Sequence, residues 1–257
     1  MCGRFAVTTD PKLLAEKIHA IDEATSAQKG SAGPNYNVAP TTTIASVVSR
    51  HTEPDDDAAR RLRLMRWGLV PPWAKAGPDG APDGKGPLLI NARAEKVTTS
   101  PAFRSSAKSK RCLVPMDGWY EWRANPETVA GKKARKTPFY MHAGDGELLL
   151  MAGLWSTWRP KDAAKDVAPL LSCTIITTDA AGPLAEIHDR MPLTISESDW
   201  DRWLDPDAPI DEGLLRGHGD LDRIEIREVS TLVNNVRNNG PELIEPAEPQ
   251  GRQATLL

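Results

Sequence analysis

RCLVPMDGWYEW, residues 111–122, places two short apolar runs on either side of the turn residues Asp117 and Gly118. Aromatic and β-branched side chains favour extended backbone, whereas aspartate and glycine favour turns. The stretch therefore predicts two short strands, at residues 112–115 and 119–122.

Similar short runs continue on both sides of this stretch. Further strands are predicted at residues 43–49, 62–67, 88–92, 139–142, 147–154, 170–177 and 223–229. Helix signals are fewer: Asp10 and Pro11 are typical of an N-cap followed by proline at the first helical position, and a second short helix is predicted to end at Leu204. Many short strands without strand–helix alternation indicate an α+β fold with an antiparallel, barrel-like β core flanked by a few short helices.

The length of the chain allows one large core. It has 257 residues, of which 40% are hydrophobic, so a single folded unit can bury a substantial apolar interior. We expect one domain over residues 2–246 and a disordered tail over residues 247–257. The stretches 77–87 and 124–136 are rich in proline and glycine or in polar residues, and we interpret both as surface loops.

Charge and cysteine content narrow the class of protein. Residues 101–137 contain nine lysines and arginines against three acidic residues, although the whole chain has a formal net charge of -3. Such a basic stretch is typical of a protein with a polyanionic partner, or of a solvated loop. Three widely spaced cysteines fit neither a disulfide framework nor a zinc site, and no apolar run reaches membrane-spanning length. We expect a cytoplasmic protein without a metal or organic cofactor.

The second residue of the chain carries distinctive chemistry. The small side chain of Cys2 permits removal of Met1, which leaves an α-amine and a thiol on adjacent carbons. This 1,2-aminothiol condenses with an aldehyde to close a five-membered thiazolidine ring. The α-amine titrates near pH ~7.7–8.0 and the thiol near ~8.5, so both reactive forms are accessible close to neutral pH.

Three other residues are candidates for the same chemistry. Glu121 lies between two tryptophans, where desolvation favours a protonated carboxyl, and His188 supplies an imidazole that titrates near pH ~6.5. Asn91 belongs to the segment NARAE. Each also has a structural interpretation: His188 in an ion-pair network, Glu121 on an alternating strand, Asn91 capping a turn, and the tryptophans in the core.

The ordered set of motifs resembles one known family. MCGRFA, YNVAP, WGLVPPWAK, NARAE, RCLVP, GWYEW, AGLW, SCTIITT and HDRMP occur here in the order typical of the SOS response-associated peptidase (SRAP) family. The resemblance extends from residue 2 to about residue 246, and the stretches 77–87 and 124–136 lie outside all of these motifs.

The resemblance implies an abasic-site sensor that binds single-stranded DNA and forms a thiazolidine crosslink through Cys2. Its catalytic residues would be Cys2, Asn91, Glu121 and His188. The residues implied to contact DNA are Arg4, Asn37, Pro40, Trp67, Trp73, Arg93, Trp122, Thr177 and Arg190. We expect a monomer that associates with the nucleoid when bound to DNA, with lyase activity and removal of its own Met1 as further activities.

Two other functions remain open from the sequence. A thiol peptidase would use Cys2 as nucleophile, His188 as base, and Asn91 or Glu121 to orient the imidazole. A non-catalytic reader of modified bases would use the same basic and aromatic residues without a free amino-terminal amine.

Overall fold

The structure is a computed structural model that describes residues 2–25, 33–53, 55–125, 136–164, 166–219 and 221–247. Nearly all of the predicted disordered tail and most of the predicted loop at 124–136 lie outside these residues. No helix within the described ranges is both long and apolar enough to cross a bilayer.

The described residues are mainly extended. The strands are β1 Phe5–Val7, β2 Ile21–Asp22, β3 Asn35–Val38, β4 Thr43–Arg50, β5 Ala59–Trp67, β6 Asn91–Arg93, β7 Arg111–Met116, β8 Gly118–Ala124, β9 Lys136–Ala143, β10 Leu149–Trp158, β11 Leu170–Asp179, β12 Arg190–Pro192 and β13 Ile224–Glu228. The α-helices are α1 Pro11–Lys17, α2 Arg104–Ser109, α3 Trp200–Leu204 and α4 Glu212–Arg216. Short 3₁₀ turns cover Ala94–Lys96, Gly182–Glu186, Glu197–Asp199, Leu221–Arg223, Thr231–Asn234 and Pro241–Leu243.

Five of the strands close into a barrel. Strand β4 pairs antiparallel with β5 and with β7, β7 pairs antiparallel with β10, and β10 pairs antiparallel with β11. The ring closes through a parallel contact between β11 and β5, with Ser172 opposite Arg66. Strands β2, β6 and β12 extend this sheet. The predicted α+β class with a mostly antiparallel, barrel-like core is confirmed.

A second sheet of five strands packs against the barrel. Its order is β13-β9-β8-β1-β3, so β1 is hydrogen-bonded on both sides and β13 is an edge strand. The predicted edge strand at residues 223–229 is therefore confirmed. Phe5 and Trp119 from this sheet join a core cluster with Cys173 and Ile175 of β11, whereas Ile176 of β11 belongs to a second cluster. Strand alternation thus gives the barrel two apolar faces, and the second face is covered by the helices.

Several predicted boundaries were wrong. We had interpreted residues 51–60 as a turn, but β5 already begins at Ala59, because the hairpin register pairs Ala59 with Arg50. The strand predicted at 88–92 begins instead at Asn91 and runs to Arg93, pairing in parallel with β11. Strands β1, β3 and β12 were not predicted, because each is short and carries polar residues or proline that only tertiary pairing places in a sheet.

Close packing at Gly118 gives a test of this architecture. A Cβ atom at Gly118 would lie 2.3 Å from the carbonyl oxygen of Met141 and 2.6 Å from Cζ of Tyr140. We predict that Gly118→Ala lowers the free energy of unfolding by at least about 1–3 kcal/mol, since neither neighbour can move without disturbing the sheet. Urea denaturation measures the change, with Gly86→Ala as control because nothing lies within 4 Å of a Cβ there. Equal urea midpoints for the two variants would contradict this packing.

Candidate active site

The position of the amino terminus is set by β1. Phe5 is paired with Trp119 of β8 on one side and with Val38 of β3 on the other. The amide of Tyr120 donates to the carbonyl of Arg4 at 2.9 Å. This antiparallel register directs the chain before β1 along the second half of β8. Cys2 is consequently fully buried in the core cluster between the two sheets.

Asn91 holds the backbone of Cys2 from the barrel side. Strand β6 places Asn91 opposite Ile175 of β11, and its Nδ2 donates to the carbonyl oxygen of Cys2 at 2.7 Å. Within the described residues, the buried Oδ1 of Asn91 has no hydrogen-bond partner. Because buried polar atoms are nearly always paired, this oxygen is available to accept a hydrogen bond from a ligand.

Glu121 lies in β8 with only 4% of its surface exposed. This burial raises the pKa of the Glu121 carboxyl, as the neighbouring tryptophans predicted. Burial also raises the pKa of the Cys2 thiol, and the nearby charge of Glu121 adds to that increase. The site therefore combines a neutral thiol with a carboxyl group that retains its proton at higher pH than usual.

His188 precedes β12 and is two-thirds buried. Its Nδ1 has two neighbours: the amide of Arg190 at 3.0 Å and Oδ1 of Asp189 at 2.7 Å. An unprotonated Nδ1 accepts the amide hydrogen, whereas a protonated Nδ1 donates to the carboxylate, so the two contacts belong to different protonation states of the ring. Burial lowers the pKa of His188, although the charge of Asp189 opposes the change. We therefore favour the amide contact near neutral pH, which leaves the proton of the neutral ring on Nε2.

A pocket of about 600 Å³ opens above these groups. Its lining residues are Arg4, Glu121, Trp122, Lys136, His188 and Asn234. Arg4 donates to the side-chain oxygen of Asn37 at 2.6 Å, and the Trp122 indole donates to that of Asn234 at 2.6 Å. The walls are thus fixed by hydrogen bonds from outside the pocket. Among the described residues, no group of three or more His, Cys, Asp or Glu side chains is arranged to hold a metal ion.

Two of the lining residues were missed by sequence reasoning. Lys136 was counted only as part of the basic stretch, and Asn234 belongs to an asparagine-rich segment, NNVRNN, that signals turns rather than a site. Asn37 explains the position of this segment, because its Nδ2 donates to the carbonyls of Val233, Asn235 and Asn238.

The residues expected to contact DNA fall into two groups. Trp73 is 66% exposed, Arg93 is exposed, and Pro40 and Trp122 are partly exposed. The buried ones are Asn37, Trp67, Thr177 and Arg190.

The buried members have structural contacts. The Trp67 indole donates to the carbonyl of Ile90 at 3.0 Å, and its ring lies 5.1 Å from that of Phe5. Arg190 forms ion pairs with Glu95 and Asp179. Direct contact of these residues with DNA stays a prediction, and in this structure they support the residues that line the pocket.

Comparison with known proteins gives a consistent result. The family model "SOS response associated peptidase (SRAP)" matches residues 1–236. The chain is 38% identical over 250 residues to the abasic site processing protein YoqW of Bacillus subtilis, covering 95% of this chain and 99% of YoqW. It is 34% identical over 269 residues to the abasic site processing protein HMCES of Xenopus tropicalis, covering 94% of this chain and 77% of that protein.

Solved structures have the same fold. A crystal structure of a protein from Bacteroides thetaiotaomicron superposes with a TM-score of 0.78 at 23% identity, over 96% of this chain and 100% of that one. A phage-related protein from Bordetella bronchiseptica superposes with a TM-score of 0.61 at 28% identity, over 89% of this chain and 94% of that one.

The contacts of His188 predict the effect of its neighbour. Asp189→Asn removes a charge that favours the imidazolium form, so the pKa of His188 should fall further below its usual value. An NMR titration of the imidazole Cε1–H resonances measures this. Asp207→Asn is the matched control: a hydrogen bond to the Asp56 carbonyl and the Asp207 side chain raise the pKa of His51, so this variant should lower the pKa of His51 alone. An unchanged His188 titration in Asp189→Asn would refute the assignment.

Proposed function

The chain belongs to the SOS response associated peptidase (SRAP) family, and we propose that it processes abasic sites in single-stranded DNA through a covalent crosslink to Cys2. The relatives named above are abasic site processing proteins. The crosslink would shield the lesion, and the protein would act in the cytoplasm, at the nucleoid when bound to DNA.

One observation carries the proposal. Cys2, Asn91, Glu121 and His188 come from four separate segments of the chain, yet they surround one pocket and the backbone before β1. The amide of Asn91 fixes the carbonyl of residue 2 at 2.7 Å. A purely structural role for each residue separately does not account for this convergence.

The proposed reaction begins after removal of Met1, which frees the α-amine of Cys2. An abasic sugar is mostly a closed hemiacetal, and a proton must move between its oxygens to open it to the aldehyde. His188, neutral near pH 7 because burial lowers its pKa, would move that proton. The amine then adds to the aldehyde carbon, water leaves, and an imine is formed.

Ring closure completes the adduct. The Cys2 sulfur adds to the imine carbon and the thiol proton is transferred to nitrogen, so the overall change is aldehyde plus aminothiol giving thiazolidine plus one water. Glu121 is near the thiol and would shuttle protons in both stages, since burial raises its pKa towards the working range. The unpaired Oδ1 of Asn91 would accept a hydrogen bond from a hydroxyl group of the sugar.

The exposed residues around the pocket would hold the strand. We propose that Arg4 and Arg93 contact phosphates, while Trp73, Trp122 and Pro40 pack against bases and sugars. Stacking of this kind contributes roughly 1–3 kcal/mol per base and tolerates any sequence.

The state of the thiol favours this reaction over a thiol-peptidase mechanism. Nucleophilic cysteines in peptidases have a lowered pKa, because the thiolate attacks the substrate directly. Burial raises the pKa of Cys2, so little thiolate is present near neutral pH. An aminothiol does not need a preformed thiolate for its first step, because the amine attacks the aldehyde.

Variants of Cys2 test the covalent step. We predict that Cys2→Ala abolishes the adduct with abasic single-stranded DNA that survives denaturation, because both imine capture and ring closure require the sulfur. Denaturing gel electrophoresis measures the adduct. Cys112→Ala is the control, since Cys112 is also a buried free cysteine but lies within β7. Wild-type adduct levels in Cys2→Ala would refute the thiazolidine, and binding without any adduct in the wild-type protein would favour a non-catalytic reader.

Substitutions of the acid–base groups test the proton transfers. We predict that His188→Ala and Glu121→Gln slow crosslinking by about 10²-fold or more while noncovalent DNA binding stays near wild type. The control is Glu225→Gln, since Glu225 lies on the edge strand β13. Single-turnover rates between pH 5.5 and 8 measure the effect. If both variants react at the wild-type rate throughout, then His188 and Glu121 are not catalytic.

A further inference from the structure

A row of three side chains crosses one end of the barrel. Val47 is opposite Leu113, so the same register brings Arg50 at the end of β4 opposite Lys110. Leu154 is opposite Arg111, so Lys110 is also opposite Trp155 of β10, and the Trp155 amide donates to the Lys110 carbonyl at 2.9 Å. Two cationic residues and one indole are therefore neighbours across adjacent strands.

Both cations lie against the same ring. The guanidinium carbon of Arg50 is 5.5 Å and Nζ of Lys110 is 5.2 Å from the centroid of Trp155, which is 4% exposed. The ring attracts each cation, but it does not remove their mutual repulsion. Like charges directly opposite each other on neighbouring strands destabilise a sheet. Burial and the charge of Arg50 accordingly lower the pKa of Lys110.

The hydrogen-bond donors of this pair are largely unused. In the parts of the chain that the structure describes, Arg50 forms no ion pair or side-chain hydrogen bond, and Lys110 donates only to Thr157 Oγ1, at 3.2 Å. Other arginines of the same hairpin are paired: Arg60 with Asp201 and Arg61 with Glu23. The unused donors are thus peculiar to this row rather than general to the hairpin.

We propose that Arg50, Lys110 and Thr157 bind a phosphate group at this end of the barrel. The planar fork of arginine, the ammonium group of lysine and a hydroxyl group supply donors from three directions, which suits a tetrahedral oxyanion. The anion relieves the repulsion between the two cations. The site is distinct from the pocket around His188: Trp155 is opposite Cys173, six residues or ~20 Å along β11 from Asp179, which pairs with Arg190. It does not depend on the proposed crosslinking function.

Two sources can supply such a phosphate, and the test separates them. The full chain labelled with ¹⁵N at tryptophan is titrated with inorganic phosphate, and separately with a single-stranded oligonucleotide that has no abasic site. The indole N–H resonance of Trp155, assigned with Trp155→Phe, reports occupancy. A saturable shift at lower concentration for the oligonucleotide assigns the site to the nucleic-acid backbone. A saturable shift with inorganic phosphate alone assigns it to free phosphate.

Variants decide whether the row is responsible. We expect Arg50→Gln and Lys110→Gln each to weaken binding by about tenfold, because each removes a charged donor. Lys12→Gln removes the same charge from α1 and should leave the titration unchanged. Arg50 is exposed, so its variant keeps the fold even if Lys110→Gln does not, and the remaining resonances verify this. A shift that never saturates in the wild-type protein, or equal affinity in Arg50→Gln, would overturn the proposal.

Discussion

The double pairing of β1 is the constraint on which the rest of the site depends. Its three residues are hydrogen-bonded to β8 on one side and β3 on the other, and Phe5 packs on the Trp67 ring at 5.1 Å. An amino terminus is usually among the least ordered parts of a chain. Here the sheet fixes the backbone of Cys2, and Asn91 then needs only one hydrogen bond to hold it beside the pocket.

The protonation states of the buried groups follow from the same packing. Burial disfavours the charged forms of the Cys2 thiol, the Glu121 carboxyl and the His188 imidazole. A set of neutral groups suits the proposed condensation, in which protons move between partners and no strong anionic nucleophile is needed. The folded protein therefore tolerates a buried carboxyl group because its proton has a use in the reaction.

The sequence predicted the fold where strands are long and apolar, and much of the site where chemistry is distinctive. Strands β4, β7, β10 and β11 were found because apolar and β-branched residues dominate them, whereas β1 and β3 depend on partners distant in the chain. Trp67 shows why the binding surface was harder: an aromatic residue serves a core as well as a DNA-binding face, and only burial separates the two. Asn234 reaches the pocket because Asn37 positions its turn, which no local pattern encodes.

The most direct test of the central claim is the mass and position of the adduct. Tandem mass spectrometry of proteolytic fragments, after reaction with an abasic oligonucleotide and nuclease digestion, identifies the modified residue. The account predicts that the sugar remnant is attached to the amino-terminal peptide that begins at Cys2, with Met1 absent, and that the linked mass is the sum of the two partners less one water. A remnant attached to Lys136, or to a chain that retains Met1, would contradict it.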